Sequence, residues 1–177
     1  MSEQTVIPQP RKKMAKRHTI SLKAVYGFNA LSRISGLFSG RGFSIDSISF
    51  GDAEEPETSR VTITTSGDER IIEQITFQLE KLVDVVEVKD LTYVPHVERE
   101  LALVKVGSDM ANRSEIMQIA NVFRAKVIDI SPESMTLEIT GSRDKVDASI
   151  TMLEPYGLRE VARTGTVALP REYQPKD

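Results

Sequence analysis

Residues 27–49 read GFNALSRISGLFSGRGFSIDSIS, a loop, a short amphipathic helix, a glycine-closed end and the start of a strand. Leu31, Ile34, Leu37 and Phe38 fall on one helical face, and Asn29 can cap the helix because its side-chain oxygen can take a backbone N–H of the first turn. Gly40 and Gly42 end it, since glycine accepts the left-handed conformation that closes a helix. The other end carries the chemistry. Its free N–H groups and the positive end of the macrodipole suit a small anion such as a carboxylate.

Outward from this stretch the pattern stays regular. His18 to Val25 alternates, with Ile20, Leu22 and Ala24 opposite Thr19, Ser21 and Lys23, as a half-buried strand does. From Phe43 to Phe50 the apolar phase slips, which predicts a bulge near Asp46 and Ser47. Gly51 to Thr58 is an acidic loop, Arg60 to Thr65 a strand, and Asp68 caps a helix carrying Ile72, Ile75, Leu79 and Leu82. Val83 to Thr92 closes the set. Strand, helix, strand, strand, helix, strand folds through right-handed crossovers into a ferredoxin-like sandwich, with helices on one sheet face and the other free to meet a partner.

The same order recurs. Glu98 to Val106 is a strand, Ile116, Ile119, Ala120 and Phe123 mark a helix, and Lys126 to Ile130 and Met135 to Ile139 are strands around Ser131 and Pro132. Val146, Ile150 and Leu153 mark a fourth helix, and Leu158 to Leu169 forms a last strand and tail. Leu101, Ala102, Leu103, Val104 and Val106 are apolar on both faces, as in a strand with no free edge or at an interface. The fold class is α+β, two tandem βαββαβ units: 18–94 and 95–171, with Pro95 breaking pairing at the boundary. Residues 1–17 form a solvated basic tail containing Arg11, Lys12, Lys13, Lys16 and Arg17, and 172–177 a short end.

Composition narrows the function. The 177 residues carry a formal charge of -3, which argues against nucleic acid, and no cysteine, hence no disulfide framework or thiolate chemistry. Apolar runs are too short for a membrane span, and a cytoplasmic setting is expected. His18 and His96 lack ligand partners at metal-binding spacing and read as strand-end histidines. Asp52, Glu54, Glu55 and Glu57 could draw a cation, yet clustered acids on a turn are usually solvated. No dinucleotide or phosphate-loop fingerprint exists, and no set of residues reads as catalytic.

The runs ALSRISGLFSGRGFSIDSIS, TSRVTITTSGDE, QLEKLVDVVEV, HVERELALVKV, VFRAKVIDISPES and LREVARTGTVALPR resemble, in unbroken order from His18 to about Arg171, the small regulatory subunits of acetolactate synthase (acetohydroxyacid synthase). The resemblance implies that the first unit is an ACT domain and the second the family's carboxy-terminal domain. It implies a non-catalytic chain that binds and activates a large subunit, where thiamine diphosphate, magnesium and FAD are expected, none being bound here. It further implies a homodimer through the ACT sheets, with feedback by valine, leucine or isoleucine from a site at that interface. The family's pocket positions fall on Tyr26, Asn29, Ala30, Leu31, Ser44 and Ile45.

Three of those positions depart from the family's pattern. Tyr26 stands where an Asn opens the loop, Asn29 where a Gly lets the effector approach the backbone, and Ser44 where the following strand has an Asn. Weakened feedback is therefore expected, with fold and partner unaffected. Two other readings compete. One is a stand-alone amino-acid-binding ACT protein of another pathway, which co-purification with a large subunit would exclude. The other is an enzyme or RNA binder on the same fold; RNA-binding versions display aromatics on central strands, and Arg60 to Thr64 has none.

Overall fold

The computed structural model describes residues 16–25 and 28–172. Two sheets, each backed by two helices, follow one another along the chain. The first contains β1 (Lys16–Val25), α1 (Phe28–Arg41), β2 (Ser47–Asp52), β3 (Thr58–Gly67), α2 (Glu69–Glu80) and β4 (Val85–Asp90), in the antiparallel order β2-β3-β1-β4. The second contains β5 (His96–Gly107), α3 (Arg113–Val122), β6 (Lys126–Ile130), β7 (Ser134–Gly141), α4 (Arg143–Leu153) and β8 (Leu158–Arg163), in the order β6-β7-β5-β8. These are the two ferredoxin-like units read from the sequence.

Each unit has its own core because strand residues of one parity meet an amphipathic helix stripe. Ile20, Leu22, Ala24, Val61 and Ile63 pack against Ala30, Ile34 and Phe38 of α1 and Ile72, Ile75 and Leu79 of α2. Ala102, Val104, Val106, Met135, Leu137 and Ile139 meet Ile116, Ala120, Val146 and Leu153 in the second. Asp68 caps α2 as read, its Oδ1 accepting from Ile71 N–H at 2.9 Å, and Ser142 caps α4 in the same way.

Several boundaries differ from the reading. The basic run is divided: β3 continues to Gly67, and its pairing with Lys16 carries Lys16 and Arg17 into β1, whereas residues 1–15 lie outside the described residues. Helix α1 already includes Phe28, so Asn29 sits inside the first turn and cannot be its cap; only a residue outside the helix folds its side chain back onto those N–H groups. Gly40 stays helical, and Gly42 alone stops the helix, at φ +68°. There Phe43 N–H reaches the Phe38 carbonyl and Gly42 N–H that of Ser39, while the Phe38 and Phe43 rings meet edge to face, a Schellman closure with its apolar clasp. No bulge forms at Asp46 and Ser47: β2 pairs with β3 in unbroken register, and the phase slip is absorbed by residues 43–46, which precede the strand.

The largest difference lies at the carboxy-terminal end. Leu158 to Leu169 is two strands, not one: after β8 the chain breaks at Gly165, φ +76°, and β9 (Val167–Pro170) pairs with the first four residues of β5. This β5–β9 ribbon lies across the helix-free face of the first sheet. Ser47 Oγ accepts from Thr166 N–H, and Ser49 Oγ donates to the Thr164 carbonyl at 3.0 Å. The face expected to be free is therefore covered by the protein's own chain. It is polar rather than apolar, with Thr19, Ser21, Thr62 and Thr64 all buried on it.

Candidate effector-binding site

The residues assigned to a pocket from the sequence lie at the two ends of α1. The first turn of helix α1, Phe28 to Leu31, holds no acidic side chain of its own, so its N–H groups and the positive end of the dipole are not neutralised from within that turn. Asn29 projects into solvent, Leu31 is half-buried, and Ala30 is in the core at 2 % exposure. Ala30 can therefore offer an anion its backbone but not its side chain. Tyr26 lies outside the described residues. Arg33 pairs with Asp84 at 3.1 Å, tying the helix to the turn before β4.

Ser44 and Ile45 are at the far end of the same helix. The 14 residues of α1 span roughly 21 Å at 1.5 Å per residue, so one chain cannot bring Asn29 and Ser44 onto one small ligand. The sheet register agrees: the end of β1 at Val25 lies opposite Thr58, while Asp46, next to Ser44, donates to the Thr64 carbonyl deep along β3. Ser44 is also engaged locally, its Oγ donating to the Ser66 carbonyl at 3.1 Å and its own carbonyl accepting from Thr65 Oγ1 at 2.6 Å. Ile45 is exposed.

The remaining chemical candidates are accounted for by contacts within the chain. His18 is buried, its ring nitrogens against Thr92 Oγ1 and the Gly67 carbonyl; His96 Nδ1 lies 2.7 Å from the Val94 carbonyl. In the acidic loop, Glu54 binds Lys23 at 2.7 Å and accepts from Arg60 Nη2 through both carboxylate oxygens, and Glu55 also holds Lys23. Lys23 foremost, then a backbone donor and Arg60, lower the Glu54 carboxyl to about 2. Across the second unit, Arg163 bridges Glu100 and Asp147, and the buried Glu100 carboxylate raises the already high guanidinium pKa further. Among the described residues no cluster of His, Asp and Glu could hold a metal ion, and no helix is long and apolar enough to cross a membrane.

Sequence reasoning missed a cleft between the first sheet and the ribbon, lined by Ser49, Gly51, Arg60, Thr62, Val97, Arg99, Val167 and Leu169, among others. The available signal was Gly165, which breaks the last apolar run and frees Val167 to Pro170 to form a strand elsewhere.

The fold is that of an ACT-type regulatory unit with a ferredoxin-like companion, and residues 30–87 match the acetohydroxyacid synthase small subunit-like ACT domain. Residues 99–172 match the family described as the small subunit of acetolactate synthase. The acetolactate synthase small subunit of Aquifex aeolicus is 45% identical over 94% of this chain and 88% of its own length. The probable acetolactate synthase small subunit of Methanothermobacter thermautotrophicus is 44% identical over 87% of this chain and 92% of its own. The crystal structure of the Thermotoga maritima acetolactate synthase small subunit superposes with a TM-score of 0.81 at 41% identity, covering 90% of this chain and 99% of that one. The chain belongs to the acetolactate synthase small-subunit family.

Proposed function

We propose that this chain is the regulatory subunit of an acetolactate synthase: it binds the thiamine-diphosphate-dependent large subunit and raises its rate, contributing no catalytic group. Thiamine diphosphate, magnesium and FAD belong to that partner. The observation that carries the reading is the 45% identity, sustained over 94% of the chain, with a protein named as such a subunit. The test is direct. Alone, the chain makes no acetolactate from pyruvate; added to its large subunit, it increases the rate. Turnover by the isolated chain, or an unchanged rate in the mixture, overturns the proposal.

Regulation follows from the divided site. With the helix-free face covered, what the first sheet offers a second copy is an outer edge, and of its two edge strands, β2 and β4, β2 is the one that follows directly from Ser44 and Ile45. Antiparallel pairing of two such edges about a two-fold axis brings Asn29 and Leu31 of one chain towards Ser44 and Ile45 of the other. The site for a branched-chain amino acid is then completed by dimerisation, and sedimentation at micromolar concentration is expected to show a dimer or larger species.

Feedback at this site is weak. The Ser44 hydroxyl is already committed to Ser66, and the Asn29 carboxamide stands in the first turn, where the family's pattern leaves the backbone open. One lost hydrogen bond to a charged ligand group costs roughly 1.5–3 kcal/mol, about ten- to a hundredfold in affinity. Calorimetry with valine, leucine and isoleucine tests this. Restoring the pattern with Tyr26→Asn, Asn29→Gly and Ser44→Asn strengthens binding; micromolar binding by the unaltered protein, or no gain from the restored one, rejects it.

A further inference from the structure

We propose that the groove between α2 and the chain from Asp90 to Tyr93 seats the basic segment Arg11, Lys12 and Lys13 of the same protein chain. On α2, Glu69, Glu73, Phe77 and Glu80 recur at steps of three and four residues and so share one face. Asp90 and Tyr93 form the facing wall, the buried His18 and Ile72 lie beneath, and the space between holds about 490 Å³.

The groove's own contacts show which chemistry it takes. Phe77 and Tyr93 are more than half exposed, and each ring carries an ammonium group on its face: Lys81 Nζ lies 3.8 Å from the Phe77 centroid and Lys16 Nζ 3.9 Å from that of Tyr93. Negative charge remains in excess, because the carboxylates of Glu69, Glu73, Glu80 and Asp90 all line the space. Glu69 accepts from Tyr93 Oη at 2.7 Å and Asp90 accepts from Thr92. Among the described residues neither Glu73 nor Glu80 enters an ion pair. Aromatic faces beside uncompensated carboxylates fit a run of Lys and Arg side chains, whose stems cover the rings while their heads reach the acids.

Such a run is tethered at the groove's mouth. Lys16, the first residue of β1, sits on Tyr93 and so delivers the chain that precedes it to this place. Arg11, Lys12 and Lys13 stand three to five residues before it, a reach of roughly 10–17 Å at about 3.3 Å per residue. The acidic face from Glu69 to Glu80 spans roughly 16 Å at 1.5 Å per residue, so the two lengths match. Being covalently linked, the segment is also present at a high effective concentration that a separate basic chain would have to exceed. The groove shares no residue with the divided site at the two ends of α1, so this inference stands independently of the reading of that site.

The test is zero-length carbodiimide coupling in the full chain, with an equal mixture of unlabelled and nitrogen-15-labelled protein and the linked peptides read by mass spectrometry. Lys12 and Lys13 are expected to couple to Glu73 and Glu80 within a single isotope, at yields comparable to the surface pair Lys105–Glu160, which lies at 3.3 Å and serves as internal standard. Glu73→Gln lowers the remaining coupling to Glu80 about two- to fivefold, the scale of one exposed ion pair, and leaves the standard unchanged. A second measurement does not depend on the coupling chemistry: combining Arg11→Gln, Lys12→Gln and Lys13→Gln shifts the ring resonances of Tyr93 and Phe77 and leaves those of Tyr156, in the second unit, in place. Coupling spread evenly over Glu54, Glu57 and other exposed carboxylates, coupling found only between isotopes, as when a second copy supplies the segment, or unshifted Tyr93 and Phe77 resonances overturns the proposal.

Discussion

The two units are built on one plan and treat their helix-free faces in opposite ways. On the first sheet that face is written in Thr19, Ser21, Lys23, Thr62 and Thr64, residues that alternation assigns to solvent, and Thr64 is 1 % exposed because the ribbon lies over it. On the second sheet the corresponding face carries Leu101 and Leu103 at its centre, and Leu103 is 37 % exposed. Residue type at a strand position therefore does not reveal whether the face is covered. What distinguishes the faces is where β9 returns, and short hydroxyl side chains are what permit a backbone ribbon to approach, as the bonds from Ser47 and Ser49 demonstrate.

The comparison is broken most severely at Ala168, which is buried in the ribbon. Ala168→Asp places an unpaired carboxylate there and is expected to cost about 3 kcal/mol or more. Urea unfolding measures the loss, and hydrogen exchange shows the first-sheet face opening while the second core stays protected. A stability change under about 0.5 kcal/mol would mean that the ribbon is not held on the sheet.

Glu100 stands where β5 passes from the ribbon into the second sheet. Glu100→Ala leaves Arg163 with Asp147 alone; breaking a buried pair costs about 3–5 kcal/mol, reduced here to roughly 2–3 because Arg163 is partly exposed. A melting curve decides. At the next level, Gly42→Ala forces a positive φ on a residue with a Cβ and is expected to cost about 1 kcal/mol, read from denaturant midpoints, without altering either helix-free face.

On the uncovered face, Leu103→Thr is expected to shift stability by no more than about 0.5 kcal/mol. A larger loss that depends on protein concentration would reveal a second copy seated there. The slightest effect is with pH. The folded Glu54 carboxyl is lowered from 4.5 to about 2, so its bonds to Lys23 and Arg60 are fully present above pH 4.5 and are lost as pH falls towards 2. Amide exchange at the tip of the β2–β3 hairpin should quicken over that window alone.

What was legible in the sequence was whatever depends on neighbours along the chain. Asp68 before Ile72, Ile75 and Leu79 determines a capped amphipathic helix locally, and Lys126 to Ile130 was bounded to the residue. The paired glycines located the end of α1, although only Gly42 needed the left-handed conformation. The covered face was not legible, because its burial depends on Thr166 meeting Ser47, 119 residues away, and hydroxyl side chains look alike whether they face water or backbone. The resemblance placed the site residues at a homodimer interface, and the length of α1, which separates Asn29 from Ser44 within one chain, is the physical reason a single chain would not suffice.

Strand β5 runs unbroken for 12 residues, roughly 40 Å. Its first four residues belong to the ribbon on the first sheet, and the remaining eight are central in the second. Mechanically it is a beam clamped at both ends, with Glu100 and Arg163 bracing the junction between a short arm and a long one. Such a beam converts a tilt of the second sheet into a displacement of the ribbon over Ser47 and Ser49, and a push on the ribbon into a torque on the second core. The two units are thus geared to one another through a single stretch of extended backbone, with no hinge between them along its length.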